Sequence, residues 1–186
     1  MEADWEFEIG PSTPVIDAQW AGFVDLAMHP ERSTDLPEAA GLPQLAETLT
    51  RLNKPESRVR TSKCDAWQVD LGEQELDPDE LDAPPGTIAS AWACYIDLLA
   101  GQRQRWENPS SVEQDCIALR AQLQLVTLRC CRADMVIRRA VLAESEAALG
   151  VTAYVMAVGP SEEAAKVVLG QALHALADSV LAAWSW

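Results

Sequence analysis

Eight carboxylates (Asp65, Asp70, Glu73, Glu75, Asp77, Asp79, Glu80 and Asp82) fall between residues 65 and 82, with no Lys or Arg among them. Carboxylates at this density can hold a hard divalent cation, work in pairs as acid and base, or present a negative surface to a cationic partner. The run Asp77-x-Asp79-Glu80-x-Asp82 supplies four oxygen-bearing side chains. A calcium loop of EF-hand type needs Gly at its sixth position and Glu at its twelfth. Counted from Asp77, those positions hold Asp82 and Ile88, so no metal is expected. A hydrolytic carboxylate pair has no cleft in the sequence to place it. What remains is electrostatic. A block of one charge repels itself and costs folding free energy, so it is understood either as a solvated loop or as a surface used by an outside cation. These eight residues and the flanking Trp67 are the candidate partner-binding set.

The other reactive side chains form no motif. His29 lies in Met28-His29-Pro30-Glu31, without metal-ligand spacing. His174 has Asp178 one helical turn on, a pair that could support a small enzyme or small-molecule pocket if Cys94 or Cys131 were brought alongside. No glycine-rich phosphate loop, dinucleotide fingerprint or nucleophile elbow occurs, so no cofactor is expected and the balance leans away from an enzyme. Arg129, Arg132, Arg138 and Arg139 are expected to pair with the protein's own acids rather than to bind nucleic acid.

The net charge is -15, and it is concentrated. Residues 1–90 hold 19 Asp and Glu against 6 Lys and Arg, whereas residues 91–186 hold 10 against 8. Such a chain is not drawn to phosphate backbones or anionic membranes, but it favours a basic protein partner. Five scattered cysteines, no signal-like N-terminus and no apolar run of membrane-spanning length point to the cytoplasm. Among seven Trp residues, Trp184 and Trp186 sit near the C-terminus. They either fold back onto the core or form a candidate oligomer contact.

The elements that must position these residues read as follows. Trp5, Phe7 and Ile9 alternate with Asp4, Glu6 and Glu8, as in a half-buried strand. A turn at Gly10–Pro14 and an extended segment over 15–26, with Ile16, Ala18 and Trp20 inward, suggest a hairpin. Pro43 opens a helix to Leu52. Residues 59–70 are extended, and the acidic block is a loop with one helical turn at Pro78–Leu81, ending at a candidate hinge, Pro84–Gly86. Residues 88–99 fit a strand or a helix, leaning to strand. Ser110-Ser111-Val112-Glu113 opens a helix to Val126. Strands follow at 128–141 and 150–158, the second apolar on both faces. Ser161 caps a final helix through Ala182. The expected fold is one α+β domain over 1–186: a largely antiparallel sheet with packed helices, ending helix-strand-strand-helix. The expected function is a non-enzymatic protein that binds a basic partner through its acidic surface, as an inhibitor, immunity-type protein or nucleic-acid mimic would. A pocket near His174 and Asp178, or a structural subunit of an oligomer, are the alternatives.

Overall fold

The computed structural model describes residues 1–10, 14–17, 23–73, 76–142 and 145–184. In chain order the strands are β1 (Glu2–Phe7), β2 (Val15–Asp17), β3 (Val59–Gln68), β4 (Ser90–Ala100), β5 (Cys131–Leu142) and β6 (Ser145–Gly159). The α-helices are α1 (Pro43–Leu52), α2 (Pro109–Gln124) and α3 (Glu162–Ala183). The fold is α+β: one mostly antiparallel sheet of order β1-β5-β6-β4-β3, closing with α2, β5, β6 and α3. No helix among the described residues is long and apolar enough to cross a membrane.

All three helices pack on one sheet face. Strand period 2 sends Cys94, Ile96 and Leu98 of β4, Cys131, Ala133, Met135 and Ile137 of β5, and Val151, Ala153, Val155 and Ala157 of β6 to that face. They meet Leu45, Leu49 and Leu52 of α1, Val112, Cys116, Leu119 and Leu123 of α2, and Leu169, Leu173, Leu176 and Val180 of α3. The ambiguous run at 88–99 settles as strand from Ser90 onward because β3 and β6 pair with both of its edges. The inward and outward rows of β5 fall as their alternation predicts, although the strand begins at Cys131, after a left-handed Cys130 (φ 61°). The Ser161 hydroxyl accepts from the Ala164 N–H and caps α3. The cap of α2 is Asn108, followed by Pro109, two residues before the expected Ser110.

The expected N-terminal hairpin does not form. β1 and β2 both run parallel to β5, Glu2–Phe7 beside residues 132–137 and Val15–Asp17 beside residues 140–142. They lie in line along one edge instead of folding back on each other. Of the expected extended segment the structure describes β2, and Ala18 and Trp20 lie outside the described residues. Only the first part of β1 is covered, with Ala3 buried and Trp5 packed on the core, while Phe7 and Ile9 are 40% and 47% exposed.

Trp184 folds back between α2 and the turn before it, so it does not stand on the surface as an oligomer contact would. It is 1% exposed, its ring meets Trp106 edge to face at 5.2 Å, and its indole N–H donates to the Asp115 carbonyl at 2.8 Å. The Asp115 carboxylate accepts the Trp106 indole N–H at 2.9 Å and pairs with Arg105 at 2.6 Å, so one buried residue satisfies both indoles. Trp186 lies outside the described residues. Truncating Trp184 to Ala removes this packing and is expected to cost about 3–5 kcal/mol, read as a lower urea midpoint. Leu181→Ala, at a half-exposed position of the same helix, should change stability by about 0.5 kcal/mol or less.

Candidate functional site

Among the described residues no helix layer covers the second face of the sheet, and the chain closes it at its two ends. At one end β2 lies across it. Val15 sits over Gly150, where a Cβ would come within 2.8 Å of the valine side chain, so only glycine lets β2 approach. Asp17 receives both Arg60 Nη atoms at 2.8 and 2.7 Å, and the Ser62 hydroxyl donates to the Ile16 carbonyl. Since Arg60 and Ser62 belong to β3 while β2 pairs with β5, the sheet must curl until its two sides meet β2. Val15, Leu99, Ala140 and Ala148 form a small core there.

At the other end lies the acidic block. Its apolar residues anchor it: Leu81 and Ala83 are buried with Val69, Ala91, Ala93 and Val158, and Leu76 and Ile88 pack beside them. The expected helical turn is present at Asp79–Leu81. Pro84–Gly86 is an exposed turn, with Gly86 at φ 77°. Asp82 takes a left-handed backbone (φ 47°), and its carboxylate receives Arg129 at 2.8 and 3.0 Å. That pairing holds the Asp82 carboxyl below its ordinary range. Glu80 lies 3.2 Å from Arg132, which also donates to Asp134 at 2.8 Å. Two of the eight carboxylates are therefore matched by the protein's own arginines, as expected for Arg129 and Arg132, whereas Arg139 is exposed and makes no ion pair among the described residues. The others divide. Asp70 and Asp77 are exposed, and among the described residues they accept backbone N–H groups of their own loop, from Gly72 and Asp79. Glu73 and Asp79 are exposed and make no ion pair among the described residues. Asp65 is exposed on β3, and Glu75 lies outside the described residues.

Between the two closed ends the curled face leaves a cleft of about 540 Å³. Asp4, Trp5, Glu6 and Glu8 form one wall, Trp67 and Val69 the other, and Arg132, Asp134, Val136, Arg138 and Tyr154 the floor. Three rings step across neighbouring strands: Trp67 lies 6.2 Å from Tyr95, and Tyr95 lies 6.0 Å from Tyr154. Arg138 continues the row, 5.5 Å over the Tyr154 ring, donating to its hydroxyl at 3.1 Å and to Glu8 at 2.5 Å. Beside these rings Asp97 is 6% exposed and accepts the Thr152 hydroxyl at 2.6 Å. Burial raises the Asp97 carboxyl above its ordinary range against the pull of Thr152, Arg138 and Lys63. Burial likewise pushes the Tyr95 hydroxyl up to about 12, helped by Asp97 and Asp65. The face is thus aromatic and net negative, a chemistry suited to cations.

The other candidate chemistry does not assemble. Asp178 pairs with Arg51 instead of His174, whose Nε2 lies 3.0 Å from Glu47 without hydrogen-bond alignment. The Cys94 and Cys131 thiols are fully buried and raised by burial, the latter to about 12, so neither is a thiolate at neutral pH. Among the described residues no three His, Cys, Asp or Glu side chains are grouped to hold a metal ion.

The cleft was hidden in the sequence because most of its residues occupy ordinary outward strand positions. The available signal was Asp97 within Ile96-Asp97-Leu98-Leu99, a lone carboxylate in an apolar run that has to find a partner.

An acid whose folded-state pKa is raised binds its proton more readily folded than unfolded, so it costs nothing at acid pH, destabilises increasingly as pH rises above the unfolded value, and reaches its full cost once the folded value is passed. Asp97→Asn keeps an oxygen to accept from Thr152 and removes the charge. The variant is expected to melt higher than the parent at pH 8, with the gain shrinking as pH falls toward 4; a gain independent of pH would contradict this placement. No protein-family model, curated protein or solved structure matches this chain, so its site is described by its own geometry.

Proposed function

We propose that this chain is a non-enzymatic binding protein for a basic polypeptide partner, engaged through the acidic loop after β3 and the carboxylate-lined cleft beside it. The observation that carries the reading is the charge left over after internal pairing. Arg129, Arg132 and Arg138, which face this region, are already matched, while Glu6, Asp70, Glu73, Asp77 and Asp79 stay exposed without an ion pair among the described residues. Anchoring the loop through Leu81 and Ala83 supports the same reading, because carboxylates held in place lose less freedom on binding. Trp67 and Tyr154 add ring faces on which Lys and Arg can rest. Inhibitor, immunity-type and nucleic-acid-mimic roles all use this chemistry, and five unpaired thiols fit a reducing cytoplasm. The cleft volume also lies within the range of small-molecule sites, which makes a small cationic ligand the second reading.

The experiment is capture of partners from the native host at low salt by the parent protein and by an Asp70→Asn, Asp77→Asn, Asp79→Asn variant. Asn preserves the oxygens that accept Gly72 and Asp79 N–H groups, so the fold should be untouched. A basic protein recovered by the parent should associate about tenfold or more slowly with the variant, and the parent's own rate should fall similarly when salt rises from about 50 to 500 mM. Recovery of no basic protein, or equal recovery by both, contradicts the proposal.

A further inference from the structure

β1 is an edge strand, and its outer edge is protected over only half its length. The Glu8 N–H donates to the Ile137 carbonyl of β5 at 2.9 Å, which fixes the phase of the ladder. The backbone groups of Asp4, Glu6 and Glu8 therefore turn toward β5, and those of Ala3, Trp5 and Phe7 turn outward. Two outward groups near its start are capped. The Ala3 carbonyl accepts from Arg120 and Gln124 of α2 at 3.1 and 3.4 Å, and the Trp5 N–H donates to the Asp4 carboxylate at 2.9 Å. Beyond them the Trp5 carbonyl and both backbone groups of Phe7 have no partner among the described residues. Folded proteins usually blunt such an edge with Lys, Pro, a bulge or a covering segment. Here the side chains on either side of it are Glu6 and Glu8, facing the cleft, and Phe7 and Ile9, exposed on the opposite side.

We infer that this edge is completed by an extended segment of the basic partner, added to the sheet as a further strand beside Trp5–Ile9, with basic and apolar residues alternating. The occupant's pattern follows from register. Side chains of an added strand alternate between the two faces as those of β1 do. Those on the cleft side lie beside Glu6, which makes no ion pair among the described residues, and beside Asp4 and Glu8, which face Arg120 and Arg138, so they meet a net acidic row that favours cationic residues. Those on the other side lie beside Phe7 and Ile9, extend the Trp5–Phe7 edge-to-face pair at 5.8 Å, and must be apolar. The acidic loop continues the same surface, because Arg132 pairs with Glu80 and Asp134 and also feels the charge of Asp4. This inference rests on the basic-partner reading and adds the backbone conformation and pattern of the bound segment.

The test is a titration of the full chain with labelled peptides, followed by fluorescence anisotropy. One peptide is Lys-Val-Lys-Val-Lys-Val-Lys. A second has the same composition with lysines and valines in separate blocks. Two more are the alternating peptide with backbone amides N-methylated on one edge or on the other. Strand addition requires the alternating peptide to bind about tenfold or more tightly than the blocked one, and methylation of one edge to cost about tenfold while the other costs under about twofold. Glu6→Lys should weaken the alternating peptide by a similar factor, and its unchanged melting temperature would show that the fold is intact. Equal binding of the alternating, blocked and methylated peptides would overturn strand addition and leave general attraction to basic chains standing. Binding of none of them would overturn both.

Discussion

A β-sheet has two faces, and among the described residues helices cover one. The stripes of α1, α2 and α3 close a core against the inward rows of β4, β5 and β6, and that apolar burial is the main source of stability. The second face is left with polar side chains that cannot be abandoned to a dry interior nor covered by a missing layer. The chain curls the sheet, lays β2 over one end, pins the acidic loop over the other, and lets charged groups pair across what remains. Asp97 with Thr152, Arg138 with Glu8 and Tyr154, and Arg132 with Asp134 and Glu80 are all products of that arrangement.

The same constraint explains why the acidic block is tolerated. A loop of like charges would repel itself into solvent, yet Leu76, Leu81 and Ala83 alternate among its carboxylates and hold it on the sheet. Arg129 and Arg132 neutralise Asp82 and Glu80. The remaining carboxylates project from an anchored backbone. Exposed pairs of this kind are screened by solvent and add little, so the anchoring is chiefly apolar and the exposed charge is left for long-range attraction.

Local periodicity carries information about burial wherever a strand or helix meets the main core. The inward row of β5, the Ser161 cap of α3 and the helix from Pro43 were readable for that reason. Pairing between distant segments leaves no such trace. Nothing in Trp5-Glu6-Phe7 announces that its partner is β5, more than 120 residues later, nor that the helix layer stops short of Phe7. The hairpin expected for the first residues reflected the usual preference for neighbours in sequence to pair, which parallel pairing to a common strand overrode. The cleft stayed hidden because its residues come from β1, β3, β4, β5 and β6, one or a few from each.

The central claim is that the helix-free face, with β1 at its edge and the acidic loop at its end, receives a cationic chain. Backbone amide chemical shifts of the isotope-labelled protein, followed during addition of a lysine-rich polypeptide at low salt, test it directly. The account predicts shifts concentrated at Trp5–Ile9, Trp67, residues 70–73 and 76–82, and Tyr154, with the outer surface of α3 unchanged. Shifts centred on the helices, or no shifts at all, would contradict it.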